Sequence, residues 1–492
     1  MSASPAPIIH RRRPPSPGSR ALAAGLALLA LLALLAALSD APPQRAEVYF
    51  LDGALTMLES GDLLVPSFRG RPFFDKPPLA TWLMAGALAL GGREPWTARL
   101  VSVLATLLAA AATWCLGRRL LGRAAASAGA LVFLATPAVL GFGRLAMSDM
   151  LLTLLCLLAL HLGLLALRPG ASLAAGALAG ATLGLAFLTK GPVALLVAGS
   201  PLLLAAWRTG RAPRATALLA GAGAFVVLGL GWFAGLAARL GGEPLGHFFL
   251  QENLARFGGQ IYDSGRGPLY YPASYLLLGL PWSLLLPLAV WRLRHESGAR
   301  LLLGQVLWVL VPLTLSRGKL EYYLLPLYPA LSLLVGGLLA DAQWGRRAWR
   351  VLAVGAAVTF GGFAATQALL LPALRANQPN AVLRAAVAAE RQRRPGLRLA
   401  LCHDPTRVER ELLVHERLVA EQRRDLERAA AGPGPLLLLA HDEEIAPLLA
   451  RPGLELVGQW SFLPVKTFYH LARGREVPRR RVALLRRVEA PQ

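Results

Sequence analysis

Residues 21–38 read ALAAGLALLALLALLAAL. The stretch carries no charge, and as a helix it is long enough to cross the hydrocarbon core of a bilayer. Runs of the same kind recur along the chain. Of its 492 residues, 55% are hydrophobic and 16% charged, against roughly 25% charged in an ordinary soluble domain. Eleven apolar spans follow from hydropathy and length, at about 20–39, 98–117, 124–143, 149–167, 172–188, 192–207, 214–237, 270–291, 300–315, 323–340 and 349–371. Residues 78–92 are a candidate twelfth. The chain is therefore expected to be a polytopic α-helical membrane protein with about 11–13 transmembrane helices.

The net charge of +23 invites a nucleic-acid reading. The placement of the charge argues against it, because much of the excess sits in short loops between apolar runs, where it sets membrane orientation. No nucleic-acid partner is expected. Cys115, Cys156 and Cys402 are too scattered for a metal site. Lysine usage is more telling. Of 51 basic residues only Lys76, Lys190, Lys319 and Lys466 are lysine, so each lysine asks for a reason.

Arg11, Arg12, Arg13 and Arg20 precede the first span. With no small-residue cleavage site following, an uncleaved anchor with a cytoplasmic N-terminus is expected. Alternating from there, the inside loops hold Arg118, Arg119 and Arg123; Arg168; Arg208, Arg211 and Arg214; Arg292, Arg294 and Arg300; and Arg346, Arg347 and Arg350. Every short inside loop is basic. The expected organisation is a disordered cytoplasmic segment 1–19, a membrane domain 20–371 with outer loops 40–97 and 238–269, and an outer C-terminal domain 372–492. Strand-like runs at Arg398–Cys402, Leu436–Ala440 and Glu455–Val457, and helical period over Arg407–Leu426, give that tail a small α/β character.

Sidedness gathers the polar residues. Glu47, Asp75, Lys76, Arg144, Asp149, Lys190, Glu252, Asn253, Arg256, Lys319 and Glu321 all fall on outer segments or at outer span ends. Glu47–Glu59 reads as an amphipathic helix lying on the membrane, with Val48, Leu51, Leu55 and Leu58 on one face. Asp52 and Asp62 read as solvated, and Trp282, Tyr322 and Tyr323 as interface-belt aromatics. Phe73-Phe74-Asp75-Lys76-Pro77-Pro78 follows, its prolines favouring an extended turn. Ser148-Asp149 is a candidate helix cap. Carboxylates ringed by lysines and arginines at an outer interface suit displacement at an anomeric carbon with a phosphate leaving group. One carboxylate takes the acceptor proton, and cations hold the phosphate as charge develops on it.

MLESGDLLVPSFRGRPFFDKPPLATWL (57–83) resembles the first outer loop of the lipid A aminoarabinose transferase and protein O-mannosyltransferase superfamily. GRLAMSDMLLT (143–153), GLAFLTKGPVALL (184–196), FFLQENLARFGG (248–259), LGLPWSLLLP (278–287) and SRGKLEYYLLPLYPAL (316–331) resemble further blocks of that family in the same order. The likeness covers roughly 40–340 and is specific as a set. It implies a GT-C fold, and a glycosyltransferase of a bacterial inner membrane with its active site and C-terminal domain in the periplasm. It implies an undecaprenyl-phosphate-linked sugar as donor and a lipid, such as lipid A or another glycolipid, or a protein as acceptor. It further implies that Glu47 and Asp149 are the essential acids, that Lys76 binds donor phosphate, and that Arg144, Lys190, Arg256 and Lys319 contact the headgroup or phosphate. No cofactor follows from the motifs; a divalent cation beside Asp75 is left open by the aminoarabinose-transferring members.

Two positions depart from the family. Ala46 stands where the first acid of an Asp-Glu pair is usual, so either Glu47 or Asp149 takes the role of base, or the chain belongs to a diverged subgroup with a different acceptor. Asp75 replaces the more usual Glu before the Lys. Two rival readings remain: a flippase or transporter of lipid-linked sugars, and a non-catalytic membrane assembly subunit. A transporter would call for mid-bilayer polar residues and repeat symmetry, whereas here the ionisable residues crowd one face.

Overall fold

The computed structural model of the chain describes residues 17–39, 43–260, 263–341, 345–372, 379–401, 408–418, 420–423, 426, 434–462 and 479–488. Residues 1–16, most of the segment expected to be disordered, lie outside the described residues, as do Cys402 and Lys466. The chain divides into two compact units. One comprises Met1–Ser39 and Gly53–Ala364, the other Asp40–Asp52 and Ala365–Gln492.

The first unit is helical and multi-pass. Among the described residues, seven helices are long and apolar enough to cross a membrane: Pro95–Leu120, Asp149–Ala166, Leu173–Lys190, Ala215–Leu240, Ser297–Leu315, Glu321–Leu339 and Arg347–Leu369, the last running past Ala364. A bent pair, Tyr270–Leu278 and Trp282–Leu293, turns through 114° and passes the same test when the two are taken together. The break falls at Pro281, which has no N–H to continue the helical ladder. Shorter apolar helices occupy Ala21–Leu35, Leu79–Gly91, Arg123–Leu134 and Leu195–Thr209. The expected single span 124–143 is in fact two helices, Arg123–Leu134 and Pro137–Phe142. Pro137 disfavours helical backbone at Thr136, so the first helix ends before it.

Small residues set how closely these helices approach. A methyl group at Gly176 would strike the carbonyl of Ala217, and one at Gly180 the carbonyl of Gly221. Backbone-to-backbone packing of this kind is how helices associate where the surroundings are as apolar as the side chains. The C-terminal end of the first helix takes two guanidinium groups. Arg99 Nη1 donates to the Leu38 carbonyl at 2.5 Å and Arg144 Nη2 to the Ala36 carbonyl. Cations at a helix C-terminus meet carbonyls that lack intrahelical partners. Trp282, expected in an interface belt, is instead 2% exposed, and its Nε1 donates to the Ala135 carbonyl at 2.6 Å.

The helix expected on the membrane surface spans Arg45–Ser60. It is more enclosed than an amphipathic surface helix. Val48, Leu51 and Leu55 are buried as expected, and so are Glu47, Asp52, Ala54 and Met57. Its first residues, through Asp52, belong to the second unit.

That unit is a small α/β fold. Strands β3 (Arg398–Leu401), β4 (Ala420–Gln422), β5 (Leu436–His441), β6 (Leu454–Phe462) and β7 (Arg480–Arg487) form a sheet in the order β4-β3-β5-β7-β6. A two-residue hairpin in the other unit supplies β1 (Ser67–Phe68) and β2 (Arg71–Pro72). Strands β4, β3 and β5 run parallel, and β7 runs antiparallel to β5 and β6. Alternation along the strands makes two cores. Leu399, Leu401, Leu437, Leu439, Val482 and Leu484 pack on one face with Leu383, Val387 and Leu412 from helices Asn380–Arg393 and Val408–His415. Ala400, Leu436, Leu438, Ala440, Ala483 and Leu485 pack on the other with Ile445 and Leu448. Both faces being covered explains why β5 reads as an unbroken apolar run.

Helical period over Arg407–Leu426 is only partly realised. The helix stops at His415, Arg417 has a left-handed φ of +53°, and residues 420–422 form β4. Pairing with β3 outweighs the helical propensity of this segment. Asp52, expected to be solvated, is 1% exposed. Its carboxylate lies 2.5 Å from Arg417 Nη1 within this same unit.

Candidate functional site

The polar centre of the membrane unit is assembled from separate segments, each delivered by a helix end or a turn. The first is the turn after β2. Lys76 is half-buried there, and its Nζ donates to the Asp75 carbonyl at 3.0 Å and lies 4.0 Å from Glu252 Oε2. Burial disfavours the charged amine, and the neighbouring Arg256 repels it further. Glu252 and Asp75 only partly offset this, so the Lys76 ammonium is pushed down to about 8.

The second segment is a π-helix, His247–Ala255. In an α-helix, residues five apart lie about 140° apart around the axis. The i→i+5 pattern of a π-helix brings them toward one face. His247 and Glu252 are so related, and both point at Asp75. His247 Nε2 lies 2.9 Å from Asp75 Oδ1, and the ligand atoms of Asp75, His247 and Glu252 all lie within 4.8 Å of one another. Glu252 also accepts a hydrogen bond from Arg256 Nη1, one α-turn along the chain. Asn253, one of the outer polar residues, donates to the Phe248 carbonyl at 2.7 Å.

The third element is an ion pair across two helices. Asp149 opens helix Asp149–Ala166, and Lys190 closes helix Leu173–Lys190. Each charge stands at the end its helix dipole favours. Lys190 Nζ is 2.5 Å from Asp149 Oδ1, with side chains 14% and 4% exposed. The cap geometry expected for Ser148 is absent, since its side chain makes no capping bond. Helix Leu173–Lys190 ends at Gly191, whose φ is +71°, and the Phe248 ring occupies the place of its missing side chain. That contact sets the lysine beside the π-helix.

Tyr322 and Tyr323 complete the enclosure. Lys190 Nζ lies 4.8 Å from the Tyr323 ring centroid and 5.7 Å from that of Tyr322, within cation–π range. These rings flank the partly buried Lys190 ammonium, a contact the belt reading did not foresee. Phe142 packs edge-on against Tyr322 at 5.7 Å.

Lys76, Asp149, Lys190 and Arg256 are thus brought together, with Asp75. Arg144 is directed elsewhere, donating to Ala36 and lying over the Phe363 ring at 5.5 Å. Lys319 is 5% exposed and its Nζ donates to the Ser316 carbonyl, just past the end of helix Ser297–Leu315. Glu47 is fully buried and accepts the Gln44 N–H at 2.8 Å, so it is not the solvated first-turn residue its position suggests. His247 is the residue the sequence reading missed. Its only sequence signal is a five-residue spacing to Glu252, which α-helical periodicity hides.

Lys76, Lys190 and Arg256 face Asp75, Asp149 and Glu252, a formal balance of zero with His247 neutral. A phosphate entering this cluster would therefore meet as much negative charge as positive. Two carboxylates and an imidazole are donors that zinc and manganese accept, and their spacing fits one divalent ion. With such an ion held there, the remaining side chains carry net positive charge toward a phosphate.

A model of the dolichyl-phosphate-mannose-protein mannosyltransferase family matches residues 75–232. The undecaprenyl phosphate-alpha-4-amino-4-deoxy-L-arabinose arabinosyl transferase of Pseudomonas aeruginosa is 34% identical over 301 residues, 58% of this chain and 53% of that protein. The corresponding transferase 1 of Sodalis glossinidius is 33% identical over 308 residues, 59% of this chain and 54% of that protein. The chain thus spans about half the length of these curated relatives. In structure, ArnT from Cupriavidus metallidurans bound to undecaprenyl phosphate superposes with a TM-score of 0.73 at 19% identity, covering 97% of this chain and 100% of that one. The archaeal oligosaccharyltransferase AglB from Archaeoglobus fulgidus gives 0.51 at 13% identity, covering 82% and 65%. Fold and sequence agree: the chain is a multi-pass membrane protein with the GT-C fold, and it is similar in sequence to the aminoarabinose and protein-mannosyl transferases.

Proposed function

We propose that the chain is a glycosyltransferase that moves a sugar from a polyprenyl-phosphate donor to an acceptor at the periplasmic face of a bacterial inner membrane. The observation that carries this reading is the meeting of Lys76 and Arg256 at Glu252, with Lys190 paired to Asp149, in a fold shared with a protein whose structure holds undecaprenyl phosphate. Undecaprenyl phosphate is the lipid carrier this reading assigns to the donor. The acceptor class is lipid A, another glycolipid or a protein. The basic short loops support an N-terminus in the cytoplasm, with the cluster and residues 372–492 in the periplasm.

In the reaction, the acceptor hydroxyl oxygen bonds to the anomeric carbon. The bond from that carbon to the phosphate oxygen breaks, and its electron pair leaves with the lipid phosphate. The hydroxyl proton passes to a carboxylate, for which Asp149 and Glu47 are the candidates. Lys190 holds the Asp149 carboxylate in an ion pair. Lys76, Arg256 and Lys190 face the departing phosphate where charge develops, which is the interaction that lowers a barrier. Asp75, His247 and Glu252 would hold a divalent cation, which when bound supplies further positive charge for the phosphate.

The test uses the purified full chain with radiolabelled polyprenyl-phosphate sugars and each acceptor class in turn. Transfer is expected, and is expected to be lost in Glu47→Gln, Asp149→Asn and Lys76→Ala. Undiminished transfer in all three would overturn the site assignment. Movement of lipid-linked sugar across vesicles without a new glycosidic bond would identify a flippase instead.

A further inference from the structure

We infer that Glu252 is a coupling residue, through which a divalent cation on Asp75, His247 and Glu252 and a phosphate headgroup on Lys76 and Arg256 strengthen each other's binding. The inference rests on the phosphate-binding reading above and goes beyond it. Glu252 Oε2 does two things at once. It accepts the Arg256 guanidinium hydrogen bond and lies 4.0 Å from the Lys76 ammonium. It is also one of three ligand atoms lying within 4.8 Å of one another, the others coming from Asp75 and His247. This single carboxylate therefore faces both phosphate-binding side chains, bonded to Arg256 and close to Lys76.

Glu252 is 7% exposed, whereas Arg256 and Lys76 keep 28% and 31% of their side-chain surface. A carboxylate so enclosed needs a positive partner, and Arg256 is that partner now. A divalent cation meets the same need with more charge. Once Glu252 ligates it, the hold on Arg256 and Lys76 slackens, and both turn their donors to an anion. Conversely, a phosphate that takes Arg256 and Lys76 leaves Glu252 short of positive charge, which tightens its grip on the cation. Each ligand prefers the arrangement the other creates, which is the condition for coupling. Linkage requires the two enhancements to be equal.

The experiment measures equilibrium binding to the purified full chain in detergent, not turnover. Undecaprenyl phosphate is titrated with a chelator present, then with Zn²⁺ or Mn²⁺. The metal is titrated separately, with and without the lipid. The expected result is an affinity for the lipid roughly tenfold higher with metal, and the same factor on metal affinity when lipid is present. Glu252→Gln should bind the lipid more tightly than the unaltered chain under chelation, and should gain nothing from metal. Asp75→Asn, which removes a ligand while leaving the Glu252–Arg256 pair, should also lose the metal response; it guards against a folding defect in the first variant. Equal lipid affinity with and without bound metal overturns the coupling while leaving the phosphate site standing. Absence of metal binding overturns it as well. Failure to bind the lipid under any condition overturns the underlying reading and the coupling with it.

Discussion

The ammonium of Lys190 lies 2.5 Å from the carboxylate of Asp149, although 41 residues separate them. Both side chains are largely buried. Removing one partner of such a pair strands the other, at a cost of about 3–5 kcal/mol. Lys190→Met and Asp149→Asn should each destabilise the chain by that order. The double variant should cost less than the sum, because it leaves no buried charge. Thermal unfolding in detergent across the four proteins tests this; strict additivity would show that the two groups do not interact energetically.

Helix Leu173–Lys190 packs against Ala215–Phe225 through glycine. Gly180→Ala should force the backbones apart and cost about 1–3 kcal/mol, because its methyl would meet the Gly221 carbonyl. Gly223→Ala in the facing helix has open space around it, so it should leave the unfolding temperature unchanged or raise it. A Gly180→Ala protein as stable as the unaltered chain would contradict the close approach.

Arg417 meets the buried carboxylate of Asp52 within the α/β unit, across 365 residues of sequence. Arg417→Ala should remove the 2.5 Å ion pair from that buried carboxylate and open the unit to protease. Adding Asp52→Asn should restore much of the resistance, since a neutral amide is far cheaper to bury. Limited proteolysis followed by mass spectrometry of the cleavage sites measures both effects.

The depressed Lys76 pKa, about 8 against an ordinary 10.5, has two consequences of known sign. Between those values the unfolded chain binds the extra proton, so the stability penalty of burying Lys76 is full below pH 8 and fades as pH rises toward 10.5. Anion binding runs the other way, since only the protonated amine attracts phosphate. With chelator present throughout, undecaprenyl phosphate should bind more weakly at pH 9 than at pH 7. Lys76→Arg should flatten that dependence, because guanidinium stays charged. A slope unchanged by the substitution would remove Lys76 from the phosphate site.

Much of this protein was legible as a string of residues. Apolar run length does not depend on tertiary context, because a bilayer imposes its own thickness on any helix crossing it. The multi-pass class and the apolar segments followed from it. The α/β character of the tail followed from the unbroken apolar run at β5. The lysines stood out because the chain otherwise writes its cations as arginine, and two of them, Lys76 and Lys190, do meet in one cluster. Lys319 is directed to a helix end instead, since an outer position alone does not say where a long side chain will reach.

What only the tertiary structure decided are relationships of distance. Nothing in the local sequence says that Lys190 meets Asp149, or that its ammonium lies beside the rings of Tyr322 and Tyr323. His247 and Glu252 share a face because the backbone there winds as a π-helix. That choice is made by packing, including the Phe248 ring against Gly191, and leaves no period in the residues. Run lengths and charge signs are properties of a segment and its solvent, so the sequence alone determined them. Which charge neutralises which depends on how helices from distant parts of the chain end beside one another, and only the folded chain contains that.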